Sequence, residues 1–381
     1  MKKIYLDYAS STPLDPKVLK EMMPFLKKEH GNPSSLHSWG QKTKAAIEQA
    51  RVKVAKLLNC APLEVVFTSG ATEANNLAVR GVVGYARGFS QKPLHVVVSS
   101  IEHESLLAVV QELESQGAIE ATYIKPNAEG IVSAKDVMAA VGANTILVSI
   151  MYANSEIGTV QPIAEIGSQL ELFRKEHPDQ KLYFHTDAVQ AVQFLDCSVE
   201  KLKVDMMTIS SHKIYGPKGA GALYIKEGTL LDPLVIGGGQ EQNMRSGTEN
   251  VPAFVGMGKA AEGIAHPHTN IANIKMRQLR DKLIKDILAK IPKSALTGSP
   301  GKRLANNIHV CFEGIEGKEL VTVLDGKGIA VSTGSACSEK TQDPSHVLLS
   351  LGKSPKEAAS CIRITLGKYT AKEEVQKFLK I

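Results

Sequence analysis

Short apolar runs alternate with longer amphipathic segments through the first two thirds of the chain, and this alternation restricts the fold more than any other feature. Several of the intervals between the runs, such as 41–59, 71–86 and 102–117, carry apolar residues at helical spacing. Parallel strands need long crossover connections, which are usually helices. The sequence therefore predicts an α/β domain with a mostly parallel sheet flanked by helices. The predicted strands are 64–69, 95–100, 145–153, 182–187, 205–211 and 221–225.

The pattern changes near residue 260. Residues 273–292 form one long charged amphipathic segment, and shorter strand-like and helical runs follow it. We interpret this part as a smaller α+β domain. Residues 12–260 are assigned to the large domain, and residues 1–11 and 261–381 to the small domain.

Composition excludes several classes of protein. The net charge of +6 comes from 45 basic and 39 acidic residues spread along the chain, without an arginine-rich arm, so direct nucleic-acid binding is not expected. No apolar run reaches the length of about 18 residues that a membrane span needs. The cysteine count is odd and the spacing irregular, which argues against a disulfide framework, a zinc site or any other resident metal. We expect a cytoplasmic, reduced protein. The five cysteines are Cys60, Cys197, Cys311, Cys337 and Cys361.

Polar residues follow the predicted strands of the large domain. The carboxyl ends of parallel strands meet at one edge of the sheet, which is where open α/β sheets bind ligands. Each residue alone has a plainer explanation, as a helix cap, a turn residue or a solvated charge. Their coincidence at one edge favours a binding site. The residues concerned are Gly70, Ala71, Thr72, Glu73, Glu102, His103, Asn154, Asp187, Gln190, His212 and Lys213.

These residue types match the requirements of pyridoxal phosphate (PLP). The segment SGAT opens a helix, and a helix N-terminus binds phosphate. An aspartate can pair with the pyridinium nitrogen, a histidine can stack on the ring, and a lysine can form a Schiff base. The candidates for these three roles are Asp187, His103 and Lys213.

Longer motifs make the resemblance specific. The chain resembles cysteine desulfurases of the NifS/IscS type, within the class V aminotransferases and the fold-type I PLP enzymes, almost from end to end. This resemblance implies a large PLP-binding domain, a smaller α+β domain and a homodimer. The motifs that carry it include GNPSSLHSWG, FTSGATEANNLAVRG, NSEIGTVQPI, HTDAVQAV, SSHKIYGPKGAGALYI, RSGTEN, STGSACS and CIRITLG.

The resemblance also implies roles for individual residues. Lys213 would be the Schiff-base lysine and His103 a ring-stacking residue that handles protons. Arg363, together with Asn154, would bind the substrate, its guanidinium pairing with the substrate carboxylate. Thr248 would reach the phosphate bound by the partner subunit. The cofactor-binding set as a whole is Ala71, Thr72, His103, Asn154, Asp187, Gln190, Ser210, His212, Lys213 and Thr248.

Cys337 lies in the small-residue, turn-forming segment VSTGSACSEK, an unusual position for a core cysteine. It matches the family's sulfur-accepting cysteine. L-cysteine would be converted to L-alanine, leaving a persulfide on Cys337. The sulfur would pass to an acceptor such as an iron–sulfur scaffold or a tRNA-thiolation enzyme. Cys337 is also a candidate for transient contact with an iron–sulfur cluster on such a partner.

Some positions depart from the commonest family pattern. LDYASSTP replaces LDNAATTP, Lys368 stands where arginine is common, and we expect the chain to lack the longer C-terminal tail that helps some members bind the scaffold. Alternatives are a selenocysteine lyase or another fold-type I PLP enzyme. A non-catalytic scaffold is disfavoured because the catalytic residues are intact. A dehydrogenase is disfavoured because no GxGxxG follows the first strand.

Overall fold

The described part of the protein contains one large, mostly parallel β-sheet and two smaller sheets. The computed structural model describes residues 3–89, 93–264, 271–334 and 344–380. Its strands are β1 (Ile4–Tyr5), β2 (Val65–Thr68), β3 (Leu94–Ser99), β4 (Ile119–Ile124), β5 (Thr145–Ser149), β6 (Tyr183–Asp187), β7 (Met206–Ser210), β8 (Gly221–Ile225), β9 (Ser294–Leu296), β10 (Asn307–Phe312), β11 (Ile329–Ala330) and β12 (Cys361–Thr365).

The large sheet contains seven strands in the order β2-β8-β7-β6-β5-β3-β4. Its neighbours pair in parallel except at β8, which is antiparallel to both β2 and β7. This arrangement confirms the mostly parallel sheet predicted from the sequence. Strand β4 is an addition to the predicted set, and its burial pattern shows why. Four of its six residues are only partly buried or exposed, so it lacks a continuous apolar run.

The helices form layers on the two faces of this sheet. Successive side chains of a strand point to opposite faces, so Met206 packs in one core, with Leu77, and Met207 in the other, with Phe254. The helices are α1 (Pro16–Lys27), α2 (Ser38–Leu58), α3 (Ala71–Arg87), α4 (Glu104–Ser115), α5 (Ala134–Ala140), α6 (Ile163–Glu176), α7 (Val199–Leu202), α8 (Val251–Glu262), α9 (Ile271–Lys290), α10 (Gly317–Gly326), α11 (His346–Ser350), α12 (Pro355–Ala359) and α13 (Lys372–Phe378).

The C-terminal part contains the smaller sheets. Strands β12, β10 and β9 form an antiparallel sheet in that order, and β1 pairs in parallel with β11. The N-terminal strand therefore belongs structurally with the end of the chain, while the exact domain bounds stay a prediction. Among the helices described, none combines the length and apolar character needed to cross a membrane.

Cys311 and Cys361 are bonded to each other, so the expectation of unpaired cysteines was wrong for this pair. The two residues lie directly opposite each other in the antiparallel pair of β10 and β12. This register cannot be read from two cysteines 50 residues apart. The His309 ring lies close by, with one ligand atom from each of the three residues within 4.8 Å of the others. The disulfide removes both thiolates as metal ligands. Cys60 and Cys197 are free.

Digestion of the denatured protein without reductant should yield one peptide pair joined through Cys311 and Cys361, and reduction should separate it. Replacing both cysteines with alanine should lower the free energy of unfolding by about 2–4 kcal/mol, since a disulfide restricts the unfolded chain. Mass spectrometry and chemical denaturation measure the two effects. Cys60→Ala is the control for loss of a free thiol. Recovery of both residues as separately alkylated cysteines would contradict the pairing.

Candidate active site

A cavity of about 450 Å³ opens where strands β6 and β7 end and helix α3 begins. It lies at the carboxyl edge of the parallel strands, as the sequence predicts. Polar groups contributed by segments far apart in the chain meet on its walls. Eleven of the predicted residues line it: Gly70, Ala71, Thr72, Glu73, His103, Asp187, Gln190, Ser210, His212, Lys213 and Arg363.

The start of α3 forms one end of the cavity. Ala71 and Thr72 are its first residues, and the first N–H groups of a helix have no acceptor within the helix. Strand β8 passes very close to this end of the helix. A Cβ added at Gly221 would lie only 2.7 Å from the backbone of Gly70. A glycine at 221 is therefore required for β8 to approach the helix. The arrangement presents backbone donors and the positive end of the helix dipole to an anion.

Lys213 follows β7 in a short 3-10 turn, and its ammonium points towards the N-terminal segment of the chain. Its Nζ donates to the carbonyl oxygens of Ala9, at 2.6 Å, and Ser10, at 2.7 Å. Gln190 Nε2 donates to the same Ala9 oxygen at 3.0 Å. Ala9, Ser10 and Ser11 all line the cavity. Sequence reasoning missed this contribution because the N-terminal segment precedes the predicted parallel strands.

Asp187, at the end of β6, is buried with only 6% of its surface exposed. Asn75 Nδ2 donates to its Oδ2 at 2.9 Å, and the backbone N–H of Val189 donates to its Oδ1 at 3.0 Å. These two donors fix the carboxylate at the cavity wall. Asn75 was not among the predicted site residues. Its position one helical turn after Ala71 is the signal that would have identified it.

A chain of hydrogen bonds connects Asp187 to His103. Asn75 Nδ2 also donates to Ser105 Oγ at 2.9 Å, and Ser105 Oγ lies 2.9 Å from His103 Nδ1. His103 Nδ1 accepts from the backbone N–H of Ser105 at 3.1 Å, so we assign the ring proton to Nε2. Burial lowers the pKa of His103, which favours this neutral form. Asn75 and Ser105 are therefore positioning residues for two cavity groups.

Arg363 is buried in β12 and reaches the opposite wall of the cavity. Its Nη2 donates to Asp7 Oδ1 at 2.9 Å and Ser10 Oγ at 2.7 Å, and its Nη1 donates to Ser155 O at 3.0 Å. Within the part of the chain that is described, its Nε has no hydrogen-bond partner. The guanidinium is thus fixed in place at the cavity wall, with one Nη1 hydrogen not engaged in these contacts.

Three predicted residues lie outside the cavity or outside the described structure. Asn154 is buried, and its side chain bonds to backbone groups of Ile101, Glu156 and Ile157 rather than facing the cavity. Thr248 is exposed and does not line the cavity of its own chain. Cys337 lies within 335–343, outside the described residues.

Glu102 is fully buried next to His103. Ser99 Oγ and the backbone N–H of Met151 both donate to its Oε1, at 2.5 Å and 2.7 Å. Burial raises the pKa of Glu102 to about 8, and the hydrogen bonds from Ser99 and Met151 only partly offset this effect. The folded protein therefore holds a proton on Glu102 at neutral pH.

Glu102→Gln should stabilise the protein in a pH-dependent way. The unfolded carboxyl loses its proton near pH 4.5, whereas the folded one keeps it to about pH 8. Between these values the unfolded wild-type chain binds fewer protons, so wild-type stability falls as pH rises, by up to about 1.4 kcal/mol per pH unit. The glutamine cannot ionise, so the advantage of the variant should grow from pH 5 to pH 8 and then level off.

Chemical denaturation across this pH range measures the difference. Glu176→Gln, at an exposed position, is the control for removal of one carboxyl group. A difference between Glu102→Gln and wild type that is the same at every pH would show that Glu102 is not protonated in the folded state.

Comparisons with known proteins match the whole chain. The aminotransferase class-V family model matches residues 4–378. Cysteine desulfurase IscS 1 of Archaeoglobus fulgidus is 45% identical over 377 residues, covering 99% of this chain and 95% of that protein. The cysteine desulfurase of Homo sapiens is 40% identical over 378 residues, covering 98% of this chain and 80% of that protein.

Solved structures agree with the fold. A NifS-like protein superimposes with a TM-score of 0.90 at 36% identity, covering 99% of this chain and 97% of that one. SspA in complex with cysteine superimposes with a TM-score of 0.83 at 37% identity, covering 97% of this chain and all of that one. The predicted fold class is thereby confirmed.

Proposed function

This chain belongs to the aminotransferase class-V family and is a cysteine desulfurase, and we propose that it uses PLP held by the residues of the cavity. The observation that carries the proposal is the meeting of Lys213, Asp187, His103 and the N-terminus of α3 on the walls of one cavity. We favour cysteine desulfurase activity over selenocysteine lyase activity because the relatives that match this chain over nearly its full length are cysteine desulfurases.

The donor set of the cavity fits PLP. The N-terminus of α3 offers backbone donors for a phosphate, and His212 and Ser210 line the same cavity. Burial lowers the pKa of His212 to about 4, so this ring is neutral and able to donate a hydrogen bond. Asp187, fixed by Asn75, is the acceptor for a ring N–H. Lys213 supplies the amine for covalent attachment.

The residues of the chain then have distinct tasks. Bound PLP supplies an electron sink for negative charge at the substrate Cα. Lys213 Nζ takes the proton from Cα, and Arg363 holds the substrate carboxylate. His103 Nε2 carries the ring proton, since its Nδ1 accepts from Ser105, and is available to donate a proton to the substrate.

Cys337 performs the sulfur transfer in this proposal. Its thiolate attacks the substrate sulfur, so that an S–S bond forms and the Cβ–S bond breaks. The electron pair of the broken bond stays on the substrate carbon, which takes up a proton and leaves as L-alanine. The enzyme retains a persulfide on Cys337. The acceptor that takes this sulfur is a protein such as an iron–sulfur scaffold or a tRNA-thiolation enzyme.

We further propose that the protein is a homodimer. Thr248 is exposed and lies outside the cavity of its own subunit, so a role for it in phosphate binding requires a second copy of the chain. The cytoplasmic location expected from the sequence stays a prediction.

Two variants separate the two halves of the proposed reaction. Cys337→Ser should still exchange the Cα proton of L-cysteine with solvent, because Lys213 is intact. It should lose at least about 100-fold in alanine formation, since a hydroxyl without an activating base is a poor nucleophile. Lys213→Ala should lose both activities. Proton exchange is followed by NMR in deuterated water and alanine by chromatography.

Cys60→Ala is the matched control for removal of a free thiol, and its alanine formation should stay close to that of the wild type. Alanine formation by Cys337→Ser at the wild-type rate would overturn the sulfur-accepting role. Persistence of Cα-proton exchange in Lys213→Ala would overturn the role of Lys213.

Arg363→Lys should weaken L-cysteine binding by about 10- to 100-fold, the range expected for lost hydrogen bonds to a charged group. A single ammonium cannot maintain the contacts to Asp7, Ser10 and Ser155 and also bind a carboxylate with two donors. The affinity for PLP should change much less, because Arg363 does not contact the phosphate end. Spectroscopic titrations with cysteine and with PLP measure the two affinities, and an unchanged cysteine affinity would contradict the assignment.

A further inference from the structure

Glu156 is a buried carboxyl that contacts described residues on both sides of positions 335–343, namely Gly334 and Ser345. It is 2% exposed. Ser345 Oγ donates to its Oε2 at 2.9 Å. On the other side, a Cβ at Gly334 would lie 2.7 Å from Glu156 Cδ and 2.8 Å from Oε1. Gly334 also has a φ of 144°, so glycine is required there for two reasons. One carboxyl group therefore packs against a residue before this segment and a residue after it.

The second oxygen of Glu156 faces His309. The distance from Glu156 Oε1 to His309 Nε2 is 3.7 Å, about 0.5 Å beyond the usual hydrogen-bond range. Within the described part of the chain, neither this oxygen nor either ring nitrogen of His309 has a hydrogen-bond partner. Burial raises the pKa of Glu156 and lowers that of His309 to about 3. Oε2 is therefore the carboxyl oxygen through which Glu156 makes its side-chain hydrogen bond, with Ser345 as the donor.

The backbone of Glu156 is held in place by two asparagine side chains. Its N–H donates to Asn154 Oδ1 at 2.9 Å, and its carbonyl accepts from Asn307 Nδ2 at 3.0 Å. The preceding residue, Ser155, accepts from Arg363 Nη1 at 3.0 Å. The residue that binds Arg363 and the residue that contacts both sides of the segment 335–343 are thus neighbours in one loop.

We propose that Glu156 is a positioning residue for sulfur transfer, which sets both ends of the segment carrying Cys337 relative to Arg363. The proposal rests on the proposed function, because it requires Cys337 to be the sulfur acceptor. It assigns Glu156 to the second half of the reaction only. Proton removal from Cα by Lys213 does not depend on it.

The direct test compares Glu156→Ala with Glu156→Gln. Glutamine keeps the volume and an acceptor for Ser345, whereas alanine removes both. Glu156→Ala should lose about 100-fold in alanine formation, the cost of a misplacement of about 1 Å in a reacting group. Its Cα-proton exchange should stay within about two-fold of wild type, and Glu156→Gln should retain both activities.

Ser345→Ala tests the same contact without opening a cavity at Glu156. Ser345 is also the N-cap of α11, where its Oγ accepts from the Leu348 N–H at 3.2 Å, so a control for lost capping is needed. Ser354→Ala provides it, because Ser354 caps the equally short helix α12. Ser345→Ala should lower the ratio of alanine formation to Cα-proton exchange at least about five-fold, whereas Ser354→Ala should leave the ratio unchanged.

A readout independent of turnover is the rate at which iodoacetamide alkylates Cys337, measured by mass spectrometry. This rate should differ at least about three-fold between wild type and both Glu156→Ala and Ser345→Ala, and stay unchanged in Glu156→Gln and Ser354→Ala. The proposal is overturned if Glu156→Ala and Ser345→Ala keep the wild-type ratio and alkylation rate. It is also overturned if Glu156→Gln loses as much as Glu156→Ala, since geometry would then not be the cause.

Failure of the inference and failure of the proposed function give different results. If Cys337→Ser makes alanine at the wild-type rate, Cys337 is not the acceptor and both fall. If Cys337→Ser is inactive in alanine formation while the Glu156 and Ser345 variants behave as wild type, only the inference about Glu156 falls.

Discussion

The buried guanidinium of Arg363 is the interaction on which the geometry of the site depends. It joins the N-terminal segment, through Asp7 and Ser10, to the loop after β5, through Ser155, and it is itself part of β12. A buried charge is costly unless it is paired and hydrogen-bonded. These partners meet that requirement, so the three segments are held at one place. Lys213 depends on the same arrangement, because its ammonium donates to carbonyl oxygens of Ala9 and Ser10.

The location of the site at the carboxyl edge of the sheet could be predicted from the sequence. The parallel part of the sheet contains the strands that carry the site residues: His103 follows β3, Asp187 ends β6 and Lys213 follows β7. A parallel sheet must bring residues at such positions to one edge. The order of the strands was not needed for this prediction. Glycine and small residues before α3 gave an equally local signal for the anion-binding end of the cavity.

The remaining features depend on contacts between segments far apart in sequence. Asn75 reaches Asp187 across 112 residues, and Lys213 reaches Ala9 across 204. No local periodicity encodes such pairs. The bond between Cys311 and Cys361 depends on a strand register, and the contacts of Glu156 depend on how a loop folds between two sheets. The side-chain direction of Asn154, which bonds to its own loop, is likewise set by tertiary packing.

The pairing of β1 with β11 has a consequence for how the protein is made. Ile4 is opposite Ile329, so the first strand leaves the ribosome long before its partner. At elongation rates of about 5–20 residues per second, the N-terminal segment is without that partner for roughly 15–65 s. Strands β2 to β8 are all complete during this interval and can pair with one another. Arg363, in β12, is made later still, so a nascent chain acquires its large sheet well before it acquires a finished site.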